Sequence, residues 1–101
     1  MKNQEELTPA QMERGARVFQ ALAHPLRLGI MQALAETPKT CSELQKVLAC
    51  PQPTLSLQLK MLVDQGLVAT SKHGTLKHCS IRNREFLKMF TCMRQHLTEI
   101  L

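Results

Sequence analysis

Tryptophan and tyrosine are absent from this sequence of 101 residues, and phenylalanine occurs only as Phe19, Phe86 and Phe90. A single-strand nucleic-acid binder that stacks successive bases on aromatic rings is therefore disfavoured. Long apolar runs are also missing. The longest is Val47-Leu48-Ala49-Cys50, against the roughly 18 residues that a membrane span needs. The opening MKNQEELTPA holds no apolar signal segment, so a cytoplasmic location without membrane partners is expected. Cys41, Cys50, Cys79 and Cys92 form no CxxC pair, and free thiols rather than a disulfide framework are expected in a reducing compartment. No Ser/His/Asp order, phosphate loop or HExxH motif is present, so an enzyme is not expected. Acidic residues are scarce, eight against thirteen basic ones for a net charge of +5. That balance favours a polyanionic partner, and duplex DNA is the better candidate once single strands are set aside.

With 44% hydrophobic and 21% charged residues, the chain suits one folded domain over residues 1–101. Thr8-Pro9-Ala10-Gln11 combines an N-cap, a first-turn proline and a reciprocal glutamine, predicting a helix from Pro9 to Ala23 after a mobile segment 1–7. His24-Pro25 restarts the pattern with Leu26, Ile30, Ala33 and Leu34, and Glu36-Thr37-Pro38-Lys39 ends it. Thr40-Cys41-Ser42-Glu43 is a second capping box, opening a short helix with Leu44, Val47 and Leu48 as its apolar stripe. After the turn Cys50-Pro51-Gln52-Pro53, Leu55, Leu59 and Leu62 mark a fourth helix, with Gly66 as its left-handed terminator. Leu67 to Lys72 and Thr75 to Ile81 read as a β-hairpin with a basic tip. Asn83 caps a last helix over 84–101, where Phe86, Phe90, Met93, Leu97 and Ile100 form a seam suited to a second copy of the chain.

The charge is unevenly spread. Residues 1–36 carry four basic and four acidic residues, whereas residues 37–82 carry six basic against Glu43 and Asp64, a net +4. Two short helices and a flanking basic hairpin are the parts of a winged helix-turn-helix, whose second helix enters the major groove. With Leu55, Leu59 and Leu62 inward, Leu57 and Lys60 face outward with Thr54 and Ser56 beside them. Short polar groups at a helix N-terminus suit phosphates and base edges. The plainer alternatives are a solvated helix face, or a protein-interaction module docking through Leu57 and the wing without sequence-specific DNA binding.

The ordered segments Leu22-Ala23-His24-Pro25-Leu26-Arg27-Leu28-Gly29-Ile30-Met31, Gln52-Pro53-Thr54-Leu55-Ser56-Leu57-Gln58-Leu59-Lys60, Asp64-Gln65-Gly66-Leu67-Val68 and the hairpin from Lys72-His73-Gly74-Thr75 to His78-Cys79-Ser80-Ile81 resemble the ArsR-type repressors, arsenic- and metal-responsive winged-helix regulators. The resemblance implies a mainly α fold of five helices with a two-stranded wing, homodimeric through the first and last helices. It implies a repressor that releases a two-fold symmetric operator when an inducer binds. Pro51, Pro53 and the Leu57-Gln58 pair depart from the family's pattern. Expected DNA contacts are Gln52, Thr54, Ser56, Leu57, Gln58 and Lys60 in the major groove, with Lys72, His73 and Lys77 on the wing. Lys39 and Lys46 are expected to be solvated or phosphate-facing, and Arg27 to form a structural ion pair.

The family's paired-cysteine arsenic site is replaced here by Thr40-Cys41-Ser42. Cys41 stays a candidate sensor thiol, because a helix N-terminus lowers thiol pKa, beside the alternative of a small buried hydrophobe. Cys79 is expected to pack inward. The zinc-type site of some relatives resembles Asn83-x-Glu85 followed, after ten intervening residues, by His96-x-x-Glu99. Cys92, His96 and Glu99 share one helical stripe, so Glu85, Cys92, His96 and Glu99 are candidate metal ligands, completed from a partner subunit, with Cys92 also a candidate sensor thiol. The implied inducer is a metal or metalloid, Zn(II) or As(III), or a thiol-reactive compound such as a persulfide or oxidant; the alternative for the stripe is a solvated edge beside the dimer seam.

Overall fold

The computed structural model describes residues 6–100, with the side chain of Ile100 left aside. The elements are α1 (Pro9–Leu22), α2 (Pro25–Glu36), β1 (Lys39–Thr40), α3 (Cys41–Leu48), α4 (Gln52–Asp64), β2 (Val68–His73), β3 (Leu76–Ile81), a 3-10 turn (Arg84–Leu87) and α5 (Lys88–Ile100). The expected mobility of residues 1–7 falls largely outside the described residues. Both capping boxes close. Gln11 N donates to Thr8 Oγ1 at 3.1 Å and Thr8 N to Gln11 Oε1 at 2.9 Å. Glu43 N donates to Thr40 Oγ1 at 3.2 Å, and Thr40 N to Glu43 Oε1 at 2.9 Å. The Thr40 backbone N–H, followed by its hydroxyl, holds the Glu43 carboxyl below its usual range.

The helices meet over one core. Ile30, Met31 and Leu34 of α2, Leu44 of α3, Leu55, Leu59 and Leu62 of α4, and Val68, Cys79 and Ile81 of the sheet are all buried. Each buried aliphatic side chain contributes about 1.5–3 kcal/mol relative to exposure. Val47, expected on the inner stripe of α3, is 58% exposed. In a helix of eight residues the core contact narrows to Leu44, with Leu48 half-buried at its edge.

Ala49 ends α3 in the left-handed region at φ 50, and Cys50 N returns to Gln45 O at 3.1 Å. This tight reversal sets α3 against α4. Gly66 at φ 74 follows α4, and Leu67 N closes onto Leu62 O at 3.0 Å, the terminator expected from the sequence. Gly74 at φ 66 takes the first place of the two-residue turn between His73 and Leu76, the position that a II′ hairpin reserves for glycine.

The sheet corrects the two-stranded expectation. Its order is β1-β3-β2, all antiparallel, with Lys39 opposite Cys79 and Thr40 opposite His78. Two residues carry no alternation, so β1 leaves no periodic signal. Its formation draws Lys39 inward, where Nζ donates to Ala33 O at 2.9 Å. Lys39 therefore neutralises the carbonyl end of α2 instead of reaching solvent or phosphate. Arg84 does the same at Ala35 O, 2.7 Å away. The last helix is also interrupted: Asn83 Oδ1 accepts from Glu85 N at 3.0 Å and caps the 3-10 turn, with α5 starting at Lys88. Phe86, Leu87 and Phe90 pack against the core, and the described chain measures 53 × 30 × 21 Å.

Candidate nucleic-acid interface

Helix α4 is anchored by Leu55 and Leu59, each 1% exposed, and by fully buried Leu62. That anchoring sends Gln52, Thr54, Ser56, Leu57 and Lys60 outward, all exposed. Leu57 is 63% exposed, an apolar contact point rather than core. Gln52 Nε2 donates to Ser56 Oγ at 2.7 Å, so the two polar groups of the first turns are held in one arrangement. Pro51 is the N-cap and supplies no side-chain hydrogen bond to the helix. The N-terminal amide of α4 is thus left facing outward with the favourable end of the helix dipole.

Lys60 Nζ lies 2.7 Å from Asp64 Oδ2 one turn on, with both side chains largely in solvent. Such a pair contributes about 0.3–0.5 kcal/mol, and Lys60 can exchange Asp64 for a phosphate at little cost. On the wing, Lys72, His73 and Lys77 are exposed, and Lys72 faces Lys77 across the hairpin. His73 Nε2 lies 3.3 Å from Ser71 Oγ, and its ring meets His78 edge-on with centroids 4.9 Å apart. Neither lysine has an acidic partner among the described residues, so the two repel one another, and a polyanion relieves that repulsion. Lys46 on α3 is exposed.

Gln58 differs from the outward placement expected for it. Its Oε1 accepts from Arg27 Nη1 at 2.7 Å, and the residue is half-buried. Arg27 itself forms no ion pair among the described residues. Its Nε donates to Ala21 O at 2.6 Å and Nη2 to Gln20 O at 3.3 Å. The carbonyls left open at the end of α1 attract the guanidinium as a carboxylate would. The expected ion pair is thereby replaced by a clamp joining α1, α2 and α4. Arg14, which the sequence reading passed over, clamps the other end of α4 through Gln65 Oε1 at 2.8 Å and Gln65 O at 2.5 Å.

The candidate metal ligands do not converge within one chain. Glu85 pairs with Lys88 at 2.6 Å, His96 Nδ1 lies 3.4 Å from Glu99 Oε2, and Cys92 is exposed. No group of three His, Cys, Asp or Glu side chains able to hold a metal ion occurs among the described residues. Cys41 is half-buried, with its Sγ 3.8 Å from that of Cys79. Cys79 is buried as expected; the pairing was not legible in the sequence.

Residues 22–71 match a family described as a helix-turn-helix domain. The chain is 36% identical over 85 residues to an uncharacterized HTH-type transcriptional regulator of Methanocaldococcus jannaschii, an alignment covering 76% of this chain and 91% of that protein. It is 39% identical over 70 residues to the arsenical resistance operon repressor of Staphylococcus xylosus, covering 69% of this chain and 66% of the repressor, just under two thirds. The fold superposes with a TM-score of 0.80 at 24% identity, over 100% of this chain and 96% of the other, on the homodimeric winged helix-turn-helix DNA-binding domain of Mycobacterium bovis described as a possible ArsR-family transcriptional regulator. No helix among the described residues is long and apolar enough to cross a membrane.

Proposed function

This chain belongs to the ArsR-type helix-turn-helix transcriptional regulators, and on that premise we propose that it acts in the cytoplasm as a homodimeric repressor of a two-fold symmetric operator. The observation that carries the reading is the outward polar face of α4, Gln52, Thr54, Ser56 and Lys60, beside an exposed basic hairpin. The first two turns of α4 supply hydrogen-bonding groups for base edges, and Leu57 supplies an apolar contact for a thymine methyl. Lys72, His73 and Lys77 bind phosphate or enter the minor groove. Gln58 orients the helix through Arg27.

Dimerisation uses the first and last helices, including the C-terminal segment 84–101. Phe19 of α1 and Met93 and Leu97 of α5 are exposed at 58%, 37% and 44%. An open groove between α2 and α5, lined by Leu28, Leu87, Phe90, Met93 and Leu97, continues the same apolar surface. A second α5 covers it and sets two α4 helices about 34 Å apart, in successive major grooves. An inducer that changes this spacing releases DNA, and a coupling of about 1–3 kcal/mol gives 5–150-fold release.

The inducer class is a metal, a metalloid or a thiol-reactive compound. A zinc centre on Glu85, Cys92, His96 and Glu99 fits poorly, since only His96 and Glu99 approach one another, and no step is assigned to zinc. The test is selection from a random duplex library followed by anisotropy at several salt concentrations. Enrichment of an inverted repeat bound at least a thousandfold more tightly than random duplex is expected. Equal affinity for both would overturn the repressor reading.

A further inference from the structure

Residues 1–36 balance four basic against four acidic residues, and that neutrality conceals where two of the arginines point. Arg14 and Arg17 stand three residues apart on α1 and share one face of it. Met12 and Phe19, 53% and 58% exposed, lie on the opposite face, the one whose Phe19 is assigned above to the partner subunit. Arg82 reaches Arg14 and Arg17 from the far end of the wing. Its backbone N–H donates to Leu67 O at 3.1 Å, which fixes the end of β3 beside the turn at Gly66. The three arginines line one open cleft of about 620 Å³ with Asp64, Gln65 and Gly66, and Val63 is the single apolar side chain in its wall. Small-molecule sites have this size, roughly 300–1,000 Å³. A wall so poor in apolar groups recognises charge.

The ion pairs among the described residues involve Lys60, Lys88 and His96, so no carboxylate neutralises Arg14, Arg17 or Arg82 there. Arg14 is held by Gln65 Oε1 and Gln65 O, which sets its guanidinium plane before a ligand arrives. Cations gathered without counter-charge repel one another, and an anion relieves the repulsion. The position of the cleft argues against duplex DNA as that anion. Helix α4 has 13 residues, so the cleft at its C-terminal end is about 18 Å from the first turn, which faces base edges. Strand β3 has six residues, which puts Arg82 about 20 Å from the hairpin tip.

We infer that Arg14, Arg17 and Arg82 form a binding site for a small diphosphate anion. A single phosphate group carries about −1.5 to −2 at neutral pH; two linked phosphates roughly double that and offer enough oxygens for three guanidinium forks. The site meets the DNA-binding machinery at Asp64, whose carboxylate pairs with Lys60 at 2.7 Å. A duplex phosphate that takes Lys60 leaves Asp64 unneutralised at the cleft, where it pairs with the arginines and repels the diphosphate. Diphosphate and operator therefore bind in opposition, each weakening the other by the same factor. This opposition rests on the repressor reading, whereas the site itself does not.

Calorimetric titration of the full-length protein with pyrophosphate at fixed ionic strength tests the site without DNA. One ion per chain is expected, with orthophosphate at least about tenfold weaker. Arg17→Ala and Arg82→Ala should each weaken pyrophosphate binding about tenfold or more, while Lys72→Ala, which strips the wing of a cation, should not. Arg17 and Arg82 are both exposed, so folding, followed by circular dichroism, should persist. In the wild type, pyrophosphate-induced amide NMR shifts should cluster around Arg17, Gly66 and Arg82. Absence of saturable binding overturns the site, as does orthophosphate binding equally well or binding that is lost in Lys72→Ala and kept in both arginine variants. Arginine variants that keep pyrophosphate affinity but reduce the salt slope of duplex binding by about 0.9 make the cleft a DNA-backbone contact instead, and also overturn it. Operator affinity is then read with and without pyrophosphate at matched ionic strength. A loss of about fivefold is expected in the wild type and none in Asp64→Asn. An equal loss in both is simple competition at the DNA face and overturns the coupling through Asp64. Failure to select any operator overturns the repressor reading and leaves the calorimetric result standing.

Discussion

Arg27→Ala separates a structural arginine from a DNA-contacting one. The guanidinium makes two short hydrogen bonds, 2.6 Å to Ala21 O and 2.7 Å to Gln58 Oε1, and a longer one of 3.3 Å to Gln20 O. The short bonds carry most of the energy. At a half-buried site each charge-assisted bond contributes about 1–1.5 kcal/mol, so truncation should cost about 2–3 kcal/mol. With a urea slope of about 1–3 kcal/mol/M, the unfolding midpoint falls by about 0.7–3 M at fixed protein concentration. Double-mutant coupling with Gln58→Ala should be about 1 kcal/mol, the share of the single bond between them. The salt dependence of DNA binding should not change, because no phosphate contact is lost. A midpoint shift of under about 0.3 M, accompanied by a salt slope shallower by about 0.9, would show that Arg27 holds a phosphate and that the clamp reading is wrong.

Three further outcomes are expected. Lys72→Ala should weaken selected and random duplex alike and reduce the salt slope by about 0.9, whereas Thr54→Ala should cost about 1 kcal/mol on the selected duplex alone, both read by anisotropy. Leu97→Glu should weaken self-association at least about a hundredfold in sedimentation, since two symmetry-related leucines each lose about 1.5 kcal/mol or more of burial. Cys79 is held protonated in the fold while the unfolded thiol ionises near its ordinary 9.0, so its contribution to stability is complete below that pH and is lost as pH rises toward about 12. Denaturation curves should fall more steeply with pH in that window for wild type than for Cys79→Ala, by up to about 1.4 kcal/mol per unit.

The helices were legible wherever local chemistry defines them. Thr8 with Gln11 and Thr40 with Glu43 are reciprocal caps within four residues of sequence, and both form. Leu55, Leu59 and Leu62 give α4 a repeated inner face, and their burial fixes which residues point outward. What escaped the sequence depends on distant partners. Strand β1 exists only because β3 passes beside it, and that strand both turns Lys39 onto Ala33 and brings Cys41 to Cys79. Arg27 was recognisable as structural, but its partners are backbone carbonyls, which every residue carries and no sequence pattern marks. Gln58 shares a helix turn with outward residues, and a single hydrogen bond to α2 draws it inward.

Hydroxyl-radical footprinting of the selected duplex tests most directly whether two α4 helices enter successive major grooves. Two symmetric protected patches centred about one helical turn apart are expected, both vanishing together in Leu97→Glu. A single patch, or protection unaffected by loss of the dimer, would contradict it.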